Sequence, residues 1–541
     1  MPKKAVRVYQ FLTGKRVFIA LSGILTVAFI LRVVLPMQVV FGSGYINFLE
    51  GDAYNRMYYA MQIQSMPFVD GFTYAVPRGL LFPWIIAMLG YIFPIELVGA
   101  WLPPFIAMGV IVLVYLIGTD ILNSFVGLMA AIFVAIIPSE FYHRSLLGYP
   151  DHHVMEVLLM TLVVYLTIKA IRSRRWASYY SLAAGFALFL YLANWAGGIL
   201  MVGILFLTAL VFLVQKIINK TYNMRAVYSL LLIVGIGAAL YSCLGGFVRF
   251  FWWLPWIQET GSAISVAQAS GMVSETAASM FTPLSQRTVS ELMPLFTPFG
   301  TFSIGVVMMN LHLFVITFVI GFYCMWVWRR DRVNLFVIIW TILILILTLN
   351  ERRYLYYFTL PVGLLSAWGV YKIGQLSKEY ATAIIVMLTM LLILISLPVL
   401  LLTGTSRAFS MPSEWHDALV WLHDEPDNGM VTAWADYGHW IQYTAGKTPS
   451  VLPGPGGKSV IDLLFTTDDE EAQQLLDGLS TQYLIVDRDT MVNKVAALEI
   501  ISGGDMPSED SLANRLLNGE SVSYLTLEYE SDNIKIYEVM K

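Results

Sequence analysis

The chain is expected to fold as a polytopic α-helical membrane protein of about 11–13 transmembrane helices, followed by a C-terminal α/β soluble domain. Three observations lead there. Of its 541 residues, 57% are hydrophobic and only 13% charged, about half the roughly 25% charge of soluble domains. The apolar residues come in runs of about 20, the length that crosses a bilayer. These runs stop near Thr403, and from Ser406 onward the composition is that of an ordinary soluble domain. A multi-span membrane domain over 1–405 and a soluble α/β domain over 406–541 follow. The net charge of −4 argues against a nucleic-acid partner. Cys243 and Cys324 both lie in apolar segments, so no disulfide framework is expected.

In chain order, spans are expected near 17–41, 96–118, 121–138, 154–172, 178–194, 197–215, 226–247, 301–328, 333–349, 353–373 and 381–403. The first run is too long for the apolar region of a signal peptide, so it reads as a retained span. Lys3, Lys4, Arg7, Lys15 and Arg16 precede it, which places the N-terminus in the cytoplasm. The shorter run Leu80 to Phe93 is interrupted by Pro83 and reads as re-entrant or interfacial. With that assignment every basic cluster falls inside: Lys169/Arg172/Arg174/Arg175, Lys216/Lys220/Arg225, Arg329/Arg330/Arg332 and Lys372/Lys378. Asp52, Asp151, Glu156, Glu259, Glu275, Glu291, Glu351 and the C-terminal domain then fall outside the cell membrane. Two outside segments, Gly42 to Glu96 and Trp256 to about Gly300, are long enough to be functional.

In the tail, Pro412–His423 is helix-like and Met430–Trp434 strand-like. Tyr483–Val486 is a second strand, and Tyr524–Tyr529 with Ile534–Val539 a hairpin through Ser531-Asp532-Asn533. Asp469–Leu476 and Met491–Ile501 carry helical patterns.

Four features on the outer face bear chemistry. Asp52 follows the first span; taken alone, such a carboxylate is usually a solvated loop residue. Arg144 leads to Asp151-His152-His153 and Glu156, where two acids and two imidazoles within six residues are ligand types for a divalent cation. A helix N-cap at Asp151 is the plainer account and is compatible with it. Thr288-Val289-Ser290-Glu291 closes the long second loop and also has the pattern of a helix entry. Asp52, Asp151, His153 and Glu291 together make a mostly oxygen ligand set with one imidazole, which suits Mg²⁺ or Mn²⁺ and tilts toward Mn²⁺. Such an ion neutralises the charge that develops on a phosphate leaving group. Arg144 and either Arg352 or Arg353 are the nearest outside guanidiniums to clamp that phosphate. Fourth, Trp434-Ala435-Asp436-Tyr437-Gly438 sets a carboxylate among aromatics, able to accept a hydrogen bond from a small hydroxyl.

This ordered set resembles the catalytic subunit of oligosaccharyltransferase, particularly the archaeal single-subunit enzymes. The likeness spans nearly the whole chain: the early Asp52, the element from Arg144 to His153, the Asn194-Trp195-Ala-Gly-Gly segment, Thr288 to Glu291, Arg353 at the head of a late span, and the tail signature. It implies en bloc transfer of an oligosaccharide from a polyprenyl (dolichyl) phosphate or diphosphate carrier in the bilayer to Asn in an Asn-x-Ser/Thr sequon of an acceptor polypeptide. By that likeness Asp52 and Glu291 engage the acceptor amide and the metal, while Asp151 and His153 are metal ligands. Arg144 lies near the leaving phosphate, and Arg353 serves the lipid-linked substrate. Trp434 and Asp436 receive the +2 Ser/Thr with Val289 on the Thr methyl, Tyr437 is a further substrate-binding residue, and the loop from about Thr260 to Ser290 closes over the peptide.

Two features depart from the family pattern. Ala435 stands where a second Trp is usual, which removes one wall of the hydroxyl pocket. The accessory helix motif is matched only partly, by Met491 to Lys494. The main rival is another polyprenyl-phosphate-sugar transferase, such as a protein O-mannosyltransferase, which has no need of the tail signature. A transporter would hold its ionisable residues at mid-membrane rather than at one face. The one Asn-x-Ser/Thr sequon, Asn219-Lys-Thr221, falls on the cytoplasmic side.

Overall fold

A computed structural model describes residues 14–218, 224–246, 307, 310–329, 331–377, 379–406, 410–426, 429–453, 457–494 and 508–540. The chain divides into two compact units. One comprises Met1–Gln38, Gln62–Phe281 and Glu291–Ser406; the other comprises Val39–Met61, Thr282–Ser290 and Arg407–Lys541.

The first unit is helical. Each apolar run expected to span coincides with a helix: Lys15–Val33, Ile95–Ile121, Ser124–Ile136, His153–Arg172, Ala177–Asn194, Ile199–Ile218, Arg225–Tyr241, Phe314–Val327, Arg332–Asn350, Leu355–Gly374 and Ala381–Gly404. Among the described residues seven helices are long and apolar enough to cross a membrane, counting Arg225–Gly246 as one; Ser124–Ile136 and Phe314–Val327 are apolar but shorter. The expected first span is interrupted: its helix ends at Val33, and Met37–Phe41 follows as a separate turn. Large apolar side chains stand outward, among them Phe18, Ile217, Met387 and Leu394. Such faces are costly in water and at home in lipid. The run Leu80 to Phe93 forms no helix long enough to span. It forms Leu81–Leu89, 9 residues, after Phe68–Arg78, 11 residues, both well short of the roughly 20 a crossing needs. Gly79 joins the two at φ +71°, a left-handed closure that favours glycine.

Inside this unit close helix crossings rely on missing side chains. A Cβ on Gly321 would lie 1.8 Å from the Leu365 carbonyl oxygen, and one on Gly369 would lie 2.0 Å from that of Thr317. Phe314–Val327 and Leu355–Gly374 therefore pack backbone to backbone, as membrane helices with small residues do.

The second unit is α/β. Strands β1 (Met430–Thr432), β2 (Thr448–Pro449), β3 (Thr481–Asp487), β4 (Leu525–Glu530) and β5 (Ile534–Val539) form one sheet in the order β2-β1-β3-β5-β4. β1 runs parallel to β2 and β3, while β5 is antiparallel to β3 and β4. Helices Ser413–Asp424 and Asp469–Gly478 and the β4–β5 hairpin lie where the sequence pattern expects them. The two-residue edge strand β2 carried no alternation to announce it. Met491 falls in the helix Arg488–Asn493, shorter than expected, and the continuation to Ile501 lies outside the described residues. Val460, Leu464, Leu476, Leu484, Val486 and Leu516 are among the residues of the core under the sheet.

Segment Val39–Met61 belongs to this unit by direct bonds. The Asn47 amide donates to the Met411 carbonyl at 2.8 Å while its own oxygen accepts the Met411 N–H at 3.1 Å. Tyr45 stacks on His416 with centroids 3.6 Å apart.

Candidate functional site

The strongest cluster lies in the helical unit, where the loop after the short helix Glu140–His143 enters the helix His153–Arg172. Gly148, at φ +81°, turns the chain, and its N–H bonds to the Ala100 carbonyl. The chain then presents Asp151, His152, His153 and Glu156 on one side of the first helical turn, all buried. The Asp151 Oδ1 lies against His152 Nδ1, and Oδ2 lies 3.1 Å from His153 Nε2. Glu156 Oε1 is 3.0 Å from His152 Nε2 and 3.3 Å from His153 Nδ1. Both approaches to Oε1 are close enough for an ion pair, but the aligned geometry of a hydrogen bond is met by neither.

Each imidazole therefore meets a carboxylate oxygen at both nitrogens. Four such approaches call for four protons or the equivalent charge, and two neutral imidazoles carry two. Two imidazolium rings would supply the rest, and so would a divalent cation held among Asp151, His152 and His153. Their ligand atoms lie within 4.8 Å of one another, so the group is a buried site able to hold a metal ion. The nitrogen–oxygen donor set suits Mn²⁺ or Zn²⁺ better than the all-oxygen preference of Mg²⁺.

Arginines frame this cluster. Arg144 Nη1 is 3.9 Å from Asp151 Oδ2, its Nε is 3.6 Å from Glu140 Oε2, and its guanidinium lies 5.5 Å from the Tyr356 ring centroid. Arg352 donates to Glu140 Oε1 at 3.2 Å, so one carboxylate bridges Arg144 and Arg352. Arg353, expected to serve the lipid-linked substrate, pairs with Glu351 at 3.4 Å. Of the two arginines left open by charge alone, Arg352 shares a partner, Glu140, with Arg144.

The second unit gathers the other candidates at one end of its sheet. β1 and β3 are parallel neighbours, so the residues that leave their C-terminal ends emerge side by side. From β1 come Trp434 and the one-turn helix Ala435–Tyr437; from β3 come Asp487 and the helix Arg488–Asn493, ending at Lys494. Lys494 Nζ consequently meets Asp436 Oδ2 at 2.9 Å, with both side chains partly exposed. Trp434 is buried, and its indole N–H has no hydrogen-bond partner among the described residues. Tyr437 is buried between Trp415, at 4.4 Å, and Trp440, at 4.9 Å. Its hydroxyl lies within hydrogen-bond reach of the Thr490 hydroxyl at 3.2 Å, and burial beside Asp487 pushes its pKa well up. Met491 packs against the core of the unit. Ala435 is buried too, and a Cβ on Gly457 would lie 3.7 Å from its methyl.

Asp52 begins the helix Gly51–Gln64 and lies 3.7 Å from His439 Nε2. Burial lowers the His439 pKa, against the pull of Asp52. His439 was not singled out in the sequence; its place three residues past Asp436, in the same aromatic stretch, was the available signal. Val289 and Glu291, together with the loop from about Thr260 to Ser290, lie outside the described residues.

A family model described as the N-terminal part of the oligosaccharyl transferase STT3 matches residues 55–404. The dolichyl-phosphooligosaccharide-protein glycotransferase 3 of Archaeoglobus fulgidus is 22% identical, over 75% of this chain and 60% of its own length. This chain thus spans about three fifths of that relative. The archaeal oligosaccharyltransferase AglB from the same organism, solved with an inhibitory peptide and a dolichol-phosphate, shares the fold with a TM-score of 0.73 at 17% identity, over 96% of this chain and 80% of that one. An Archaeoglobus fulgidus oligosaccharyltransferase tethered to an acceptor peptide containing the NVT sequon gives 0.74 at 17% identity, over 95% and 79%. With the match running from the helix that carries Asp52 through the last apolar helix, well over half of the residues, the chain belongs to the STT3 family of oligosaccharyltransferases.

Proposed function

We propose that this STT3-family protein is a metal-dependent oligosaccharyltransferase that moves a glycan en bloc from a dolichyl phosphate or diphosphate to the Asn of Asn-x-Ser/Thr sequons. The observation that carries this reading is the buried Asp151–His152–His153 group with Arg144 at its edge. The relatives solved with dolichol-phosphate and with a sequon peptide support the choice of donor and acceptor.

In the reaction a bond forms between the Asn side-chain nitrogen and the anomeric carbon. The bond from that carbon to the phosphate oxygen breaks with its electron pair left on that oxygen, and the nitrogen's proton passes to solvent. Asp52 and Glu291 accept hydrogen bonds from the amide N–H groups, which turns the nitrogen toward the sugar. Asp151 and His153 would hold the cation, Mn²⁺ by preference over Mg²⁺, with Asp52 and Glu291 completing the set. When bound, the ion neutralises charge on the departing phosphate. Arg144 clamps that phosphate, with Arg352 or Arg353 beside it. Trp434 and Asp436 receive the +2 hydroxyl, Val289 touches a Thr methyl, and Tyr437, Met491 and Lys494 back the peptide-binding end of the sheet. Residues 1–405 serve as the membrane glycosyltransferase domain and 406–541 as the extracytoplasmic peptide-binding domain, with the N-terminus in the cytoplasm.

Purified protein given Mn²⁺, lipid-linked oligosaccharide and an Asn-x-Thr peptide is expected to yield glycopeptide, with none from the peptide carrying Gln for Asn. Full activity in an Asp52→Ala/Glu291→Ala variant would sink the site assignment. Transfer to Ser or Thr of a peptide without a sequon Asn would point to an O-mannosyltransferase instead.

A further inference from the structure

In a sequon the amide and the hydroxyl sit two residues apart, so Asp52 and Asp436, which receive them, have to stand at one spacing. Both belong to the second unit, yet they come from segments far apart in the sequence. A Cβ on Gly51 would lie 3.8 Å from the Asp436 carbonyl oxygen, and Asp52 lies 3.7 Å from His439 Nε2. The backbone that presents one carboxylate therefore runs beside the turn that presents the other.

A buried set of hydrogen bonds centred on Asn47 holds the two together. Residues 42–50 form neither helix nor strand, so their backbone has to be fixed by other partners. The Asn47 N–H bonds to the Val40 carbonyl at 2.9 Å. Its side chain pairs with the Met411 backbone as a second peptide group would. Nδ2 donates to the carbonyl at 2.8 Å, and Oδ1 accepts the N–H at 3.1 Å. The other lone pair of Oδ1 takes the Tyr54 hydroxyl at 3.0 Å, and that hydroxyl accepts the Phe48 N–H at 3.2 Å. Asn47, Tyr54 and Met411 are all buried. Tyr54 stands two residues past Asp52 in the helix Gly51–Gln64, about 200° around its axis. It packs inward, its ring 5.5 Å from Tyr443 and 6.3 Å from Trp440, while Asp52 is left half-exposed. Leucine at position 47 would fill a similar volume but leave the Met411 N–H and carbonyl and the Tyr54 hydroxyl short of a partner.

We propose that Asn47 is a positioning residue for the acceptor: through Met411 and Tyr54 it fixes Asp52 relative to Asp436, and that fixed spacing makes a hydroxyl at +2, rather than at +1 or +3, the one that counts. The proposal rests on the reading that Asp52 and Asp436 take the two ends of a sequon. It adds to them a buried residue that acts through both.

The test uses the full chain in detergent with Mn²⁺, lipid-linked oligosaccharide and three peptides that carry Thr at +1, +2 or +3 from Asn. The parent should glycosylate the +2 peptide. In Asn47→Leu, kcat for that peptide falls about 10- to 100-fold, and its preference over the +1 and +3 peptides narrows several-fold. A residue that only stabilised the fold would lower Tm and leave the preference among peptides as it was. Tyr54→Phe keeps the ring and the Asn47–Met411 pair, so it should show both effects to a smaller extent. It carries the test if Asn47→Leu does not fold. Hydrogen exchange followed by mass spectrometry, without substrates, should be faster over residues 48–57 in the variant, with β3 and β5 protected as in the parent. An unchanged preference among the peptides, or unchanged exchange over residues 48–57, overturns the proposal. If the parent glycosylates none of the peptides, the oligosaccharyltransferase reading fails by itself, while the exchange comparison still decides whether Asn47 fixes the Asp52 segment.

Discussion

Asp487 ends β3 and is buried, and burial pushes its pKa up to about 6 from the ordinary 3.8. It is kept because its two oxygens cap the next helix, accepting from the Thr490 N–H at 2.8 Å and the Thr490 hydroxyl at 2.6 Å. Since the folded state holds this proton more tightly than the unfolded chain, the stability linked to it is complete below pH 3.8 and is lost as pH rises through about 6. The loss amounts to about 3 kcal/mol, from about 1.4 kcal/mol per pKa unit. Asp487→Asn keeps a capping oxygen and has no charge to bury. Calorimetry should find the variant more stable than the parent at pH 7.5 by up to about 3 kcal/mol, with the advantage gone near pH 4. His439 works the other way, since its lowered pKa costs stability as pH falls, and the variant-to-parent difference cancels it. The Lys494–Asp436 pair is partly exposed, so Lys494→Ala should change unfolding by less than about 1 kcal/mol. Its expected effect is on KM for the acceptor peptide, measured with a Thr-containing and a Ser-containing sequon.

Among the elements, the crossing of Phe314–Val327 with Leu355–Gly374 is the tightest described contact between helices, set by Gly321 and Gly369. An added methyl at either would meet a backbone carbonyl, which cannot rotate away as a side chain can. Gly321→Ala or Gly369→Ala should therefore cost about 1–3 kcal/mol as overpacking, read as a lowered Tm in detergent. Gly23→Ala is the control, because nothing lies within 4 Å of its Cβ position. It should leave Tm unchanged or raise it slightly. The same helix carries Tyr356 and Tyr357 against Glu156. Displacing it should also weaken Mn²⁺ binding, whereas Gly23→Ala should leave binding intact.

For the molecule as a whole, the orientation proposed from where lysine and arginine sit makes a direct prediction. A cysteine introduced at Ser531, in the β4–β5 turn, should react in intact cells with a membrane-impermeant maleimide. One introduced at Ser173, beside Lys169 and Arg172, should react only after lysis. Labelling in the reverse pattern would invert the topology. The controls are the native Cys243 and Cys324, measured in the parent protein.

The apolar spans were legible in the sequence because each is a local property: about 20 apolar residues in a row leave the backbone little choice but a helix in lipid. Asp151, His152 and His153 were legible for the same reason, as three ligand types in consecutive positions. The tail strands β1 and β3 and the β4–β5 hairpin announced themselves by pattern, while β2, two residues long, had none. What the sequence left undecided depends on packing between distant segments. Tyr191, Tyr356 and Tyr357 read as ordinary aromatic residues of apolar helices until the helices bring them to Glu156. Arg352 joined Arg144 only when Glu140 came within reach, more than two hundred residues earlier in the chain. Asp436 and Lys494 met because β1 and β3 are parallel neighbours, and Val39–Met61 joined the tail's unit through Asn47 and Tyr45. Local composition determined which segments are helices in a membrane and which residue types can do chemistry. Tertiary packing decided which of those residues face one another, because burial gives a charged or polar group only the partners that neighbouring elements bring to it.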